Sequence, residues 1–184
     1  EICACLVGSE MCIRDSLTEQ PEYNGTQLIH SKVIASYLRQ LLRNDLQYAP
    51  FRMEGMEQDV REMMEIDTPQ GKLALQIGGT IDRLDSKGDT LRIVDYKTGG
   101  TPKTPENIEQ LFTPADNRPN YIFQTFLYAA ILCRKQSLKV APSLLYIHRA
   151  ASENYSPVIE MGEPRKPKIP VNNFAFFEDE FRER

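Results

Sequence analysis

Between Lys72 and Thr98 the chain carries two β-patterned runs separated by a turn, and no other stretch constrains the fold as strongly. Leu73, Leu75, Ile77, Gly79 and Ile81 fall at every second position, the period of a strand with one buried face. Leu91 to Thr98 reads as the second strand, and Asp85-Ser86-Lys87-Gly88-Asp89 between them has the residue types of a tight hairpin turn. The pair Gly78-Gly79 predicts a bulge or a close backbone approach. If the turn centres between Lys87 and Gly88, Ser86 faces Asp89 and Asp82 lies opposite Ile93.

A hairpin of this kind needs covering layers, and helical spacing supplies two. From Thr26 to Tyr48, Leu28, Ile29, Val33, Ile34, Tyr37, Leu38, Leu41, Leu42 and Leu46 recur at steps of three and four. Asn24-Gly25 precedes this helix and Pro50 stops it. A second helix is predicted over Tyr121 to Gln136, an edge strand over Phe51 to Met64, and a short apolar strand over Ser143 to His148. Gly99 to Asn120 holds Pro102, Pro105, Pro114 and Pro119 and reads as a surface excursion. The tail, through Pro164, Pro167 and Pro170, reads as loop followed by the start of a helix. The expected class is α/β, a mixed central β-sheet flanked by α-helices.

Composition bounds this reading. With 184 residues, 41% of them apolar and 26% charged, the chain has the make-up of one ordinary folded domain. No apolar stretch approaches the roughly 18 residues that span a bilayer, so no membrane partner is expected. A net charge of −4 lacks the basic footprint of many nucleic-acid binders. Cys3, Cys5 and Cys12 fall in the first dozen residues, where Leu6 to Ser16 resembles a translated sequencing adapter. Residues 1–16 are therefore set aside as non-native, and 17–184 are read as a single domain truncated at both ends. One remaining cysteine, Cys133, fits a reducing, cytoplasmic setting.

Asp95 and Lys97 are two residues apart on one strand, so their side chains leave the same face roughly 6.6 Å apart. In the expected register Asp82 is a diagonal neighbour of Asp95, within about 7 to 8 Å at the backbone. Two carboxylates on rigid strands suit a hard divalent cation such as Mg²⁺, and an adjacent ammonium can orient a nucleophile and offset phosphate charge. Phosphodiester hydrolysis is the chemistry this grouping serves. A plain ion-pair ladder between strands is the competing reading. Asp85 and Asp89 are expected to be turn and solvent residues, Arg83 a solvated strand charge, and Tyr96, facing away from Asp95, part of the core.

An acid in a G-x-I-D strand, then a turn, then a strand ending Asp95-Tyr96-Lys97-Thr98-Gly99, resembles motifs II and III of PD-(D/E)XK nucleases in the RecB-like exonuclease branch. Gln124-Thr125-Phe126-Leu127-Tyr128 is similar to that branch's Q-x-x-x-Y helix motif. The resemblance covers about Pro50 to Ile147 and implies a restriction-endonuclease-like core. It implies Asp82, Asp95 and the Tyr96 carbonyl as ligands of Mg²⁺, with Mn²⁺ as the alternative, Lys97 as catalytic lysine, and Gln124 and Tyr128 steadying the site and the DNA backbone. The implied activity is a DNA exonuclease within a repair helicase-nuclease, with DNA and a helicase subunit or domain as partners. The alternative is an inactive nuclease-like scaffold or a single-stranded-DNA-binding module. The first motif is either His30, in Gly25 to His30, or lies upstream, and an iron-sulfur cluster is not supported within this stretch.

Overall fold

The computed structural model describes residues 24–152 and 155–184; the adapter-like segment 1–16 lies outside them. In chain order the elements are α1 (Gly25–Tyr48), β1 (Arg52–Thr68), β2 (Gly71–Lys87), β3 (Thr90–Lys97), α2 (Glu109–Phe112), α3 (Asn120–Cys133), β4 (Lys139–Tyr146), a 3-10 turn (Ile147–Arg149), β5 (Glu160–Met161), β6 (Ile169–Pro170) and α4 (Ala175–Arg182). The main sheet has the order β1-β2-β3-β4. Strand β3 pairs antiparallel with β2 and parallel with β4, so the sheet is mixed as expected.

Antiparallel neighbours can share a tight turn, whereas parallel ones need a crossover. The crossover from β3 to β4 carries α3, whose Ile122, Phe126 and Ala129 join Leu91, Ile93, Val140 and Leu144 in the larger core. On the other side of the sheet, Tyr37 and Leu41 of α1 pack against Val94, Leu145 and Ile147. Strand β3 thus serves two layers: Leu91 and Ile93 face α3, while Val94 and Tyr96 face α1. Helix α1 begins in a reciprocal cap, the Gln27 amide donating to Asn24 Oδ1 and the Asn24 amide to Gln27 Oε1, each at 2.9 Å.

The hairpin is real, but its register is displaced by two residues from the expected one. Lys87 pairs with Thr90, Asp85 with Arg92 and Arg83 with Val94. Only Gly88 and Asp89 form the turn, with Gly88 at φ 62°, a conformation that glycine adopts without steric cost. Asp85 is therefore not a turn residue. It is fully buried on the α1 face, accepting from Arg92 Nε at 2.9 Å, Arg92 Nη2 at 2.8 Å and Arg83 Nε at 2.8 Å. Arg83, expected in solvent, is only 3% exposed, and its Nη1 also reaches Asp45 Oδ2 at 2.8 Å. Charges of both signs sit at adjoining positions here, which lets the strand continue through Asp85 instead of turning. Asp89 does stay in solvent, paired with Lys139 at 2.6 Å.

The alternation of β2 also fails to bury one continuous face. Leu73 is 47% and Leu75 38% exposed, because β2 pairs with β3 only over Arg83–Lys87 and the outer part of the β1–β2 hairpin runs past the core. Further in, Ile81 and Leu84 enter the same core although they are three residues apart. Strict alternation would send them to opposite faces. The strand therefore changes phase at Asp82-Arg83, across from Glu57 at φ 48°.

Candidate active site

Beyond Arg83↔Val94 the β2–β3 ladder stops, and the Tyr96 amide donates instead to Asp82 Oδ2 at 2.8 Å. The phase change at Asp82 gives its carboxylate this reach, and it sits beside β3 rather than in the diagonal position expected from regular pairing. Since a paired strand residue turns its amide and carbonyl to the same neighbour, the Tyr96 carbonyl faces the same gap. Tyr96 is held at its other end too, its hydroxyl accepting from Arg83 Nη1 at 3.1 Å. Consecutive residues of β2 thus grip the backbone and the ring of Tyr96, and the residues on either side of it, Asp95 and Lys97, lie on the α3 face.

Lys97 Nζ is ion-paired with Asp95 Oδ2, the side chains being 16% and 6% exposed. Burial pushes the Asp95 carboxyl above its ordinary pKa, the Lys97 ammonium opposes this, and the Asp82 charge adds to it. Asp95 therefore feels both Lys97, on its own strand, and Asp82, across the splayed end of the two strands. From α3, the Gln124 Nε2 donates to the Tyr128 hydroxyl at 2.9 Å, and Tyr128 is 4% exposed. Tyr128 meets β2 at Gly79, where an added Cβ would lie 2.5 Å from the Tyr128 hydroxyl and 3.1 Å from its Cε1. The close backbone approach that the glycine pair predicted is at Gly78, φ 143°, where a Cβ would collide with the Val60 carbonyl oxygen, while Gly79 makes room for the Tyr128 side chain. We expect Gly79→Ala to displace Tyr128 and to cost about 1–3 kcal/mol, read by thermal unfolding beside a Gly25→Ala control, whose Cβ meets nothing within 4 Å.

His30 is not brought to this cluster: it is exposed on α1, which packs on the opposite face of the sheet. Among the described residues no group of three or more His, Cys, Asp and Glu side chains is arranged to hold a metal. The donors that do converge fit an open site for a hard cation. Among the described residues Asp95 Oδ2 is withdrawn from solvent and meets no donor besides the Lys97 ammonium, and the Asp82 carboxylate spends one oxygen on a backbone amide. Waters and a substrate oxygen would complete such a shell.

Two features escaped the sequence reading. The Arg83–Asp85–Arg92 cluster looked like turn and surface charge, and only the true register would have exposed it. Tyr121, whose ring centroid lies 4.3 Å from Lys97 Nζ, had a legible signal: it stands three residues before Gln124 and seven before Tyr128, on the same helical stripe. No helix among the described residues is long and apolar enough to cross a membrane. No curated protein matches the sequence. The family model for the PD-(D/E)XK nuclease superfamily matches residues 9–183, nearly the whole chain, and with the sheet and its flanking helices in place this chain belongs to that superfamily.

Proposed function

We propose that the protein is a metal-dependent DNA nuclease of exonuclease type, in the RecB-like branch, serving a repair helicase-nuclease. The observation that carries the reading is the meeting of Asp82, Asp95 and Lys97 at one splayed strand end. Asp82, Asp95 and the Tyr96 carbonyl would hold Mg²⁺ or Mn²⁺, which supplies Lewis acidity toward the phosphodiester and the attacking water. Lys97 Nζ orients that water and offsets charge developing on the phosphate oxygens. Tyr128 braces β2 at Gly79 and Gln124 donates to its hydroxyl, and together they steady the site and the DNA backbone.

The test is direct. Linear DNA incubated with the purified chain should be degraded with Mg²⁺ and left intact with EDTA, activity returning when Mg²⁺ is restored in excess. Persistent cleavage in EDTA would contradict the assignment. A second reading, a nuclease-like scaffold, draws on the lack of a third acidic or histidine ligand among the described residues. Calorimetric titration with Mn²⁺ separates the two: the nuclease reading requires binding that Asp95→Asn abolishes, and a scaffold binds none.

A further inference from the structure

Lys97 has two neighbours for its ammonium. One is the Asp95 carboxylate, on the same strand; the other is the face of the Tyr121 ring, 4.3 Å away at its centroid and contributed by the first turn of α3. Core packing does not account for that ring, since Tyr121 is 47% exposed. The chain leaving β3 passes along it: at Gly100, φ 83°, a Cβ would stand 3.7 Å from the Tyr121 ring and 3.9 Å from that of Tyr146. A cation against an aromatic face is attracted by the ring quadrupole, and the attraction grows where water is displaced. Lys97 is mostly shielded, with 16% of its side chain exposed.

We infer that Tyr121 is the positioning residue for Lys97, its ring keeping the ammonium over the site when Asp95 is engaged elsewhere. This rests on the nuclease reading, in which Asp95 serves as a metal ligand and so cannot be the sole anchor of the lysine. A flexible four-carbon stem samples many rotamers, and the ring narrows them without neutralising the charge, as a second carboxylate would. The placement also explains why the stripe on α3 extends one turn beyond Gln124: Tyr128 meets β2, Gln124 holds the Tyr128 hydroxyl, and Tyr121 meets the end of β3.

Two measurements test it. The first needs no turnover. In the 184-residue chain, the ε-methylene protons of Lys97, assigned by their loss in Lys97→Arg, should be shifted upfield by the ring current. The shift should persist in Tyr121→Phe and vanish in Tyr121→Leu. Ordinary lysine shifts in the wild type, or shifts unchanged in Tyr121→Leu, overturn the inference. The second is kinetic: Tyr121→Leu should lower kcat on linear DNA by about 3- to 30-fold, with KM within twofold, and Tyr121→Phe should recover most of the loss. In a Lys97→Ala background Tyr121→Leu should add no further loss. A loss confined to KM would mean that Tyr121 meets the DNA and not the lysine, which also overturns it. Wild-type cleavage by Lys97→Ala would strike the nuclease reading, whereas wild-type kcat in Tyr121→Leu beside an inactive Lys97→Ala strikes this inference alone.

Discussion

Lys97→Ala and Asp95→Ala are each expected to lower single-turnover cleavage of linear DNA by about 10²- to 10³-fold or more, with the fold intact by circular dichroism. Both side chains sit at the splayed end of β3, Lys97 on the rim and Asp95 just beneath it, so truncation removes charge without opening the core formed by Ile93, Phe126 and Ile131. The two losses should not add. In the proposed mechanism both residues serve the same reacting phosphate, so that once one is gone the other has little left to stabilise. Asp82→Ala should be as damaging to activity and more damaging to structure, because its carboxylate also accepts the Tyr96 amide. Near-wild-type rates in Asp95→Ala or Lys97→Ala would leave a folded scaffold and remove the hydrolase assignment.

The largest effect on stability is expected from Asp85→Asn. Asp85 is completely buried and its two carboxylate oxygens take three guanidinium donors, from Arg83 and Arg92. Those guanidiniums are themselves enclosed, Arg92 over the Tyr48 ring at 3.6 Å and Arg83 over the Phe51 ring at 4.8 Å. Removing the one carboxylate they share leaves Arg92 buried and uncompensated and Arg83 ion-paired with Asp45 alone, which costs about 3–5 kcal/mol. Urea unfolding monitored by tyrosine fluorescence measures it. A stricter check is the triple replacement Arg83→Met, Asp85→Leu, Arg92→Met: removing the ions together should cost less than removing Asp85 alone, because no fully buried charge is left unpaired and Asp45, which loses Arg83, keeps 24% of its side chain in solvent. A triple variant less stable than Asp85→Asn would show that the guanidiniums act mainly through their packing. Because Arg83 also donates to the Tyr96 hydroxyl, Asp85→Asn should lower nuclease activity as well, by loosening the strand end that carries Asp95 and Lys97.

Local pattern made much of this fold legible. The helix stripe from Ile34 through Tyr37 to Leu41, the hairpin built around Gly88, and α3 with Gln124 and Tyr128 four residues apart all follow from periodicity and turn chemistry, which act over a few residues. The assignment of Leu73 and Leu75 to a buried face did not hold, because alternation states which side a residue takes and not whether anything covers that side. Asp85 and Arg83 were misread for a related reason. A charged residue beside a glycine turn looks like a turn residue until the partner strand is known to hold the opposite charge.

Local spacing alone puts Asp95 and Lys97 of the candidate site on one face, since the two-residue period of a strand leaves no choice. It determined as well that Gln124 and Tyr128 share a helix stripe. How Asp82 comes to lie beside β3 is fixed by packing across the whole domain. A two-residue change of register and a change of phase at Asp82-Arg83 depend on contacts distant in sequence: the Arg92–Asp85 pair, Val60 across from Gly79, and Tyr128 lying on Gly79. Register is chosen by the summed free energy of all cross-strand and interlayer contacts, and no single stretch of this chain contains that sum.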